Sequence, residues 1–552
     1  MATDLEAAKL ELFLQWLKVN GAELCGCKIK YCNSSKGFGI FSSDDVPDGI
    51  FLVVPLDLAI TPMRVLEDPF IGPECRSMFE EGQVDDRFLM MLFLTVERLR
   101  KNSTWKPYLD MLPNEFGNPL WFTDDELLEL KGTTLHRAAE LQKKNLKSLF
   151  DDKVKKLAER LLILDGNPES EVRFEDFLWA NSIFWTRALN IPFPRSYVFP
   201  QIQLEKDITI SDAPVESTSH VSTENLVNGE NGKILQTNNS ASQEGETIWV
   251  EGLVPGIDFC NHGLNPAATW EVDETGSLSG TPFSMYLSSA GNILQGEKEI
   301  SISYGDKGNE ELLYLYGFVM EENPHDYLMV HYPMEAISDV PFSETKVQLL
   351  EAQKGELRCL LTRNLLEKGF FSERNFPEGT SNKGFNYSWS GNRKIPSYIN
   401  KLVFPEEFLS TLRTITMKEN ELYQVSSLLE ELVGSGGKTQ PSETDVRTAI
   451  WEACGDSNAL QLLVDLLNMK MMELEEGSGT EESDAKLLEI AQNEKRQDIN
   501  YGENEILDGK IGLTTSRNRW ASIVYRKGQK ELTRRFVKEA EHALHLALSE
   551  SN

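Results

Sequence analysis

The pattern of apolar and polar positions changes character several times along the chain. In the first residues, MATDLEAAKLELFLQWLKVNG, Leu10, Phe13, Leu14 and Leu17 fall on one face at helical spacing and Gly21 is placed to end the turn, which predicts an N-terminal helix within residues 1 to 24. Residues 25 to 62 are strand-like: CGCKIKYC and GFGIF, a turn at Pro47-Asp48-Gly49, then IFLVVP and LAIT. From about 85 to 190 the period becomes helical, beginning with DDRFLMMLFLTVERLR, where Phe88, Met91, Leu92 and Leu99 form a broad apolar face. Residues 205 to 247 are rich in Ser, Thr, Asn and Glu and hold no aromatic residue, so they read as a disordered insertion that cannot bury enough apolar area to offset ordering. Strand signals return at IWVEGLVPGIDFC, run to ISISYG and end at LLYLYGF, residues 312 to 318. Beyond about residue 330 the pattern is helical, broken at 434 to 443 and 475 to 483, and a final helix from about Arg517 carries Trp520, Val524, Phe536, Ala540, Leu544 and Leu548 as a stripe. The expected fold class is α+β: a β-rich half interrupted by helices, followed by an all-helical half, without internal repeats.

Length and charge narrow this picture. At 552 residues the chain exceeds one ordinary core, so two or three domains are expected. No apolar run approaches the roughly 18 residues needed to cross a bilayer, so no membrane partner is expected. The N-terminal segment lacks a basic region followed by an apolar one, and its early acids argue against a transit peptide. The expected location is cytoplasmic or nuclear, with a processed plastid form left open. A formal charge of -32 argues against a nucleic-acid partner, which would call for a basic footprint. Seven cysteines in such a chain make no disulfide framework.

Candidate chemistry begins with CGCKIKYC, where Cys25, Cys27 and Cys32 stand in a C-x-C-x4-C pattern that could hold zinc. A fourth nearby ligand is missing, whereas structural zinc is normally closed by four, and the alternation Cys25, Cys27, Ile29, Tyr31 suits one face of a strand. All three cysteines are read as strand residues, with no metal. Gly37-Phe38-Gly39, His262, Tyr304 and Tyr316 are each weak signals alone. Their order carries more: SKGFGIF, WTRALNIP, DFCNHGLNP, ISYG and NEELLYLYGF follow one another, with TWKPYLDMLPNEFGNPLWF at 104 to 122 among them.

This series resembles the SET-domain methyltransferases, in the branch typified by the Rubisco large-subunit lysine methyltransferase. The resemblance implies a SET domain over 25 to 318 with the helical insertion at about 85 to 190, then a helical substrate-binding domain over 319 to 552; the disordered stretch at about 205 to 247 is the main departure from the family pattern. It implies transfer of a methyl group from S-adenosylmethionine to a lysine of a folded, non-histone protein. By the same likeness Lys36, Gly37 and Phe38 lie along the cofactor, chiefly by backbone. Asn261 and His262 hold its adenosyl and amino-acid portions, Arg187 serves cofactor or substrate, and Asp258 lines the substrate site. Tyr304 and Tyr316 flank the transfer point, Tyr304 also touching cofactor, and Tyr316 orients the amine. For Arg187 and Asp258 a plain buried ion pair or a loop cap remains the alternative. Two other readings stand beside this one: a catalytically silent SET scaffold that recruits partners, and a protein-histidine methyltransferase.

Overall fold

A computed structural model of the chain describes residues 3–33, 36–43, 49–167, 171–198, 247–291, 296–372, 387–388, 390–391, 393–436, 440–500 and 515–550. The polar insertion expected at 205 to 247 therefore lies, apart from Thr247, outside the described residues. The chain divides into two compact units, one formed by Met1–Asn114 with Leu149–Tyr304, the other by Glu115–Ser148 with Gly305–Asn552. The division falls at 304, ahead of the expected boundary at 318, and assigns NEELLYLYGF to the second unit. No described helix is long and apolar enough to cross a membrane.

The first unit opens with the helix Asp4–Val19, started by a capping box in which Thr3 and Glu6 satisfy each other's backbone N–H groups. Its main sheet has the order β1 (Glu23–Leu24), β4 (Ile50–Pro55), β9 (Ser284–Ser289), β8 (Ala268–Asp273). In β4 Phe51, Leu52, Val53 and Val54 are all buried, so its continuous apolar run reflects cover on both faces rather than a half-exposed edge. Three two-stranded ribbons accompany it: β2 (Cys27–Asn33) with β3 (Gly37–Ser42), β5 (Leu189–Pro194) with β6 (Thr247–Gly252), and the parallel pair β7 (Asn261–His262) with β10 (Ser301–Ile302). The helix Asp86–Leu99 starts where the Asp85 carboxylate accepts from the Phe88 N–H, and it packs on the helix Phe174–Arg187. Helices begin earlier than the pattern predicts, at Pro62–Glu67 and Gly72–Glu80.

Among its described residues the second unit is mainly helical, with one antiparallel strand pair, β11 (Tyr327–His331) with β12 (Arg358–Thr362), which the apparently all-helical pattern did not predict. Its main core joins Leu328, Leu361, Leu412, Leu463 and Leu467 to Leu532, Phe536 and Ala540 of the helix Arg517–Glu550. Two expectations need correction. LLYLYGF is no strand: Leu312–Tyr316 is a π-helical turn closed by Gly317 in the left-handed region. Cys25 precedes β2 rather than sharing a face with Cys27, whereas Cys32 lies within β2, at a register shift between Tyr31 and Asn33. Among the described residues no group of His, Cys, Asp and Glu is arranged to hold a metal.

Candidate active site

Within the first unit the predicted residues converge on one short segment, residues 258 to 262, DFCNH. Each of its five residues has at least one defined partner, with Arg187 serving Asp258 and Phe259 and Tyr304 serving Cys260 and His262. Asp258 is wholly internal: Tyr108 Oη donates to Oδ2 at 2.7 Å, Arg187 Nη1 donates to Oδ2 at 3.2 Å and to the Asp258 carbonyl at 2.9 Å, and the Gly256 N–H reaches Oδ1 at 3.1 Å. Burial pushes the Asp258 carboxyl up, against the opposing charge of Arg187 and the Tyr108 hydroxyl. Burial, then the Asp258 charge, pushes the Tyr108 phenol well up. The Phe259 ring lies under the Arg187 guanidinium, 4.9 Å to its centre, and against Phe13 at 5.3 Å. The helix Phe174–Arg187 thus delivers Arg187 on its last residue, already held on one side by the segment.

The Cys260 carbonyl accepts from Tyr304 Oη at 2.7 Å, and His262 Nδ1 accepts from the Tyr304 N–H at 3.1 Å. The two rings lie 5.3 Å apart. The β7–β10 pairing, Asn261 opposite Ser301 and His262 opposite Ile302, sets this arrangement, because Tyr304 lies just beyond β10, after Ser303. The hydroxyl proton of Tyr304 is committed to a backbone carbonyl, so toward anything else its oxygen serves as an acceptor.

Asn261 turns the other way. Its Nδ2 donates to Glu299 Oε1 at 2.7 Å, while Lys36 Nζ bonds Glu299 Oε2 at 2.7 Å and the Cys32 thiol lies 3.8 Å from the same carboxylate. Burial opposes the Glu299 charge, yet the bonds from Lys36 and Asn261 prevail and hold its carboxyl below the usual range. Gly39 permits the approach, since a Cβ there would stand 2.7 Å from Cys32 Sγ and 3.0 Å from Asn261 Nδ2. Gly37 takes a φ of 69°, and a Cβ there would meet nothing within 4 Å, so its backbone faces open space. The Lys36 N–H is tied to Asn33 Oδ1 at 2.9 Å, and Phe38 packs edge-on against Tyr31 at 5.5 Å.

Tyr316 belongs to the second unit, at the end of the π-helical turn. Burial, then the Glu311 charge, pushes its phenol up to about 12, and its ring lies 6.3 Å from that of Phe318. Lys36, Gly37, Phe38, Arg187, Asp258, Asn261, His262 and Tyr304 all fall in the first unit. Asp258, expected to line a substrate site, has a fully buried side chain and is the inner half of an ion pair. Sequence reasoning missed Tyr108 and Glu299. Tyr108 sits in WKPYLDML, inside the matched 104 to 122 stretch, and Glu299 sits five residues before Tyr304, so each was within reach of a motif already quoted.

No family model matches the chain. It is 24% identical over 351 residues to the chloroplastic ribulose-1,5-bisphosphate carboxylase/oxygenase large subunit N-methyltransferase of Pisum sativum, covering 62% of this chain and 58% of that protein. It is 23% identical over 314 residues to the ribosomal lysine N-methyltransferase set10 of Schizosaccharomyces pombe, covering 56% and 44%. A human actin-histidine N-methyltransferase is 23% identical over 326 residues, covering 57% and 43%. The chain thus spans about half the length of the curated relatives it matches. Among solved structures, the SET domain of LSMT bound to lysine and AdoHcy aligns with a TM-score of 0.59 at 19% identity, over 98% of this chain and 92% of that one. Rubisco LSMT bound to sinefungin and monomethyllysine aligns with a TM-score of 0.58 at 17% identity, over 98% and 93%. The fold is that of the Rubisco LSMT type of SET protein, and the relatives found by sequence are SET-type methyltransferases of the same kind.

Proposed function

We propose that this chain is an S-adenosylmethionine-dependent methyltransferase acting on a lysine of a folded, non-histone protein. The observation that carries the reading is the fivefold anchoring of residues 258 to 262, which presents Asn261, His262 and Tyr304 in one rigid frame. The polar groups suit a zwitterionic amino-acid end: Glu299 is a carboxylate held ionised, and Arg187 is a guanidinium braced from behind by Asp258. The exposed backbone at Gly37 suits a ligand laid along it. Bound S-adenosylmethionine would supply a methyl group activated by its sulfonium.

The protein's own task is to deliver a neutral amine in line. Lysine has a reference pKa near 10.4, so at neutral pH the free base lies about three units away, roughly 4 kcal/mol. Burial in a narrow site lowers that requirement. Tyr304, with its proton given to Cys260, offers oxygen lone pairs to an amine N–H. Tyr316, whose phenol titrates at about 12, stays protonated and cannot act as a phenolate base. Its role is to orient the amine rather than deprotonate it.

One of these relatives is named for lysine and one for actin histidine, so a histidine target is the second reading. A silent scaffold is disfavoured because every polar residue of the first-unit site is present and engaged. Incubation of the protein with labelled S-adenosylmethionine and a cell extract, followed by mass spectrometry, tests all three. Label on a lysine of a folded protein is expected. Label on a histidine would move the assignment to the second reading, and no label with no cofactor binding would leave the scaffold.

A further inference from the structure

The segment that bears Tyr316 is closed by a single buried side chain. Asn309, 2% exposed, donates from Nδ2 to the Met320 carbonyl at 2.8 Å, and its Oδ1 accepts from the Met320 N–H at 2.8 Å. It therefore bonds both backbone groups of the residue that ends the segment it begins. Asp326 grips Asn309 in turn: Oδ1 accepts from the Asn309 N–H at 2.6 Å, and Oδ2 accepts the second Nδ2 hydrogen at 3.1 Å. Asn323, fully buried, reaches Asn309 Oδ1 at 3.5 Å and the Lys307 carbonyl at 2.9 Å. Both hydrogens and both lone pairs of the Asn309 amide are thereby used, a set that neither a carboxylate nor an apolar side chain can supply.

Between these ends the chain makes an uncommon turn. Leu312–Tyr316 is π-helical, a conformation that persists where its surroundings impose it. Gly317 follows at φ 74°, with its carbonyl accepting from Arg517 Nη2 at 3.1 Å. A Cβ on Gly317 would lie 2.6 Å from the Gly117 carbonyl carbon, so the far side of the turn is packed backbone to backbone. The residue before Gly317 has little freedom left.

We propose that Asn309, braced by Asp326, is a positioning residue for Tyr316: its amide staples the two ends of the segment and thereby fixes where the Tyr316 hydroxyl stands. This rests on the reading of Tyr316 as the residue that orients the amine. Asp326 is tightly buried, and its carboxylate is stabilised in place by the two Asn309 donors, which gives the staple a definite registry rather than a diffuse polar contact.

The test is Asp326→Asn, which preserves volume but sets an amide NH2 against one of the Asn309 donors, with Asn309→Ala as a second variant. Amide hydrogen exchange over residues 312 to 318 is expected to accelerate roughly 10-fold, with the helices Ser457–Glu476 and Arg517–Glu550 changed by less than about 2-fold. Turnover is expected to fall roughly 10-fold while affinity for S-adenosylhomocysteine, read by calorimetry, stays within about 2-fold. Unchanged exchange in both variants, or acceleration spread over the whole second unit, overturns the staple. Failure of the Tyr316 reading looks different: Tyr316→Phe leaves turnover intact while the staple variants still speed exchange over 312 to 318.

Discussion

At the scale of single residues, two side chains are expected to separate binding from transfer. Glu299 carries a charge that its burial opposes and its partners restore, and it sits where Asn261 and Lys36 meet. Glu299→Gln keeps the shape and removes the charge. Cofactor affinity is expected to weaken roughly tenfold, the scale of one charge-assisted hydrogen bond at about 1.5 kcal/mol, with turnover at saturating cofactor within about threefold. Tyr316→Phe should show the mirror image, with affinity nearly unchanged and turnover reduced by roughly 10- to 1000-fold. Measured Kd and kcat for the two variants check both halves, and the reverse pattern in either would exchange their roles. The sequence made Asn261, His262, Tyr304 and Tyr316 legible because they lie in short, ordered motifs. Glu299 and Tyr108 were not, because what identifies them is a partner far off in the chain: Tyr108 meets Asp258 across 150 positions, and Glu299 meets Lys36 across 263.

At the scale of elements, the strands of the first unit were largely legible where apolar residues run continuously, as in IFLVVP. The failures share one cause. LLYLYGF is as apolar as a strand, and its period alone does not distinguish a strand from a buried helical turn. What decides it is the closure of its ends by Asn309, which lies outside the apolar run. CGCKIKYC likewise looked uniform, yet the register shift at Tyr31 and Asn33 gives Cys32 a different environment from Cys27, next to Glu299. The helix Phe174–Arg187 also depends on a tertiary partner, since its last residue is locked by Asp258 and Asp258 by Tyr108. Tyr108→Phe removes the hydroxyl hydrogen bond to that carboxylate and leaves Arg187 and the Gly256 N–H to compensate a fully buried charge. The expected loss is about 1 to 3 kcal/mol, a melting shift of roughly 2 to 6 °C in a unit of this size. A shift below about 1 °C in thermal denaturation would mean that Arg187 and the Gly256 N–H suffice for Asp258.

At the scale of the whole molecule, the division into two compact units makes the place of cofactor binding testable. Lys36, Gly37, Asn261, His262, Arg187 and Glu299 all belong to the unit ending at Tyr304, whereas Tyr316 and its staple belong to the other. A ligand stabilises the structure that binds it as the logarithm of its concentration over Kd, by about 2.7 kcal/mol at one hundred times its Kd. If the two interiors melt as separate transitions, S-adenosylhomocysteine at that concentration should raise one of them by roughly 5 °C and leave the other close to its original position. The Glu299→Gln variant should shrink the shift at the same ligand concentration, because its Kd is larger, while Asp326→Asn should leave the shift intact. Differential scanning calorimetry of the full chain reads both effects at once. An equal rise in both transitions, or a shift abolished by Asp326→Asn, would mean that the ligand draws on the second unit as well, and the assignment of cofactor binding to the first unit alone would have to be given up.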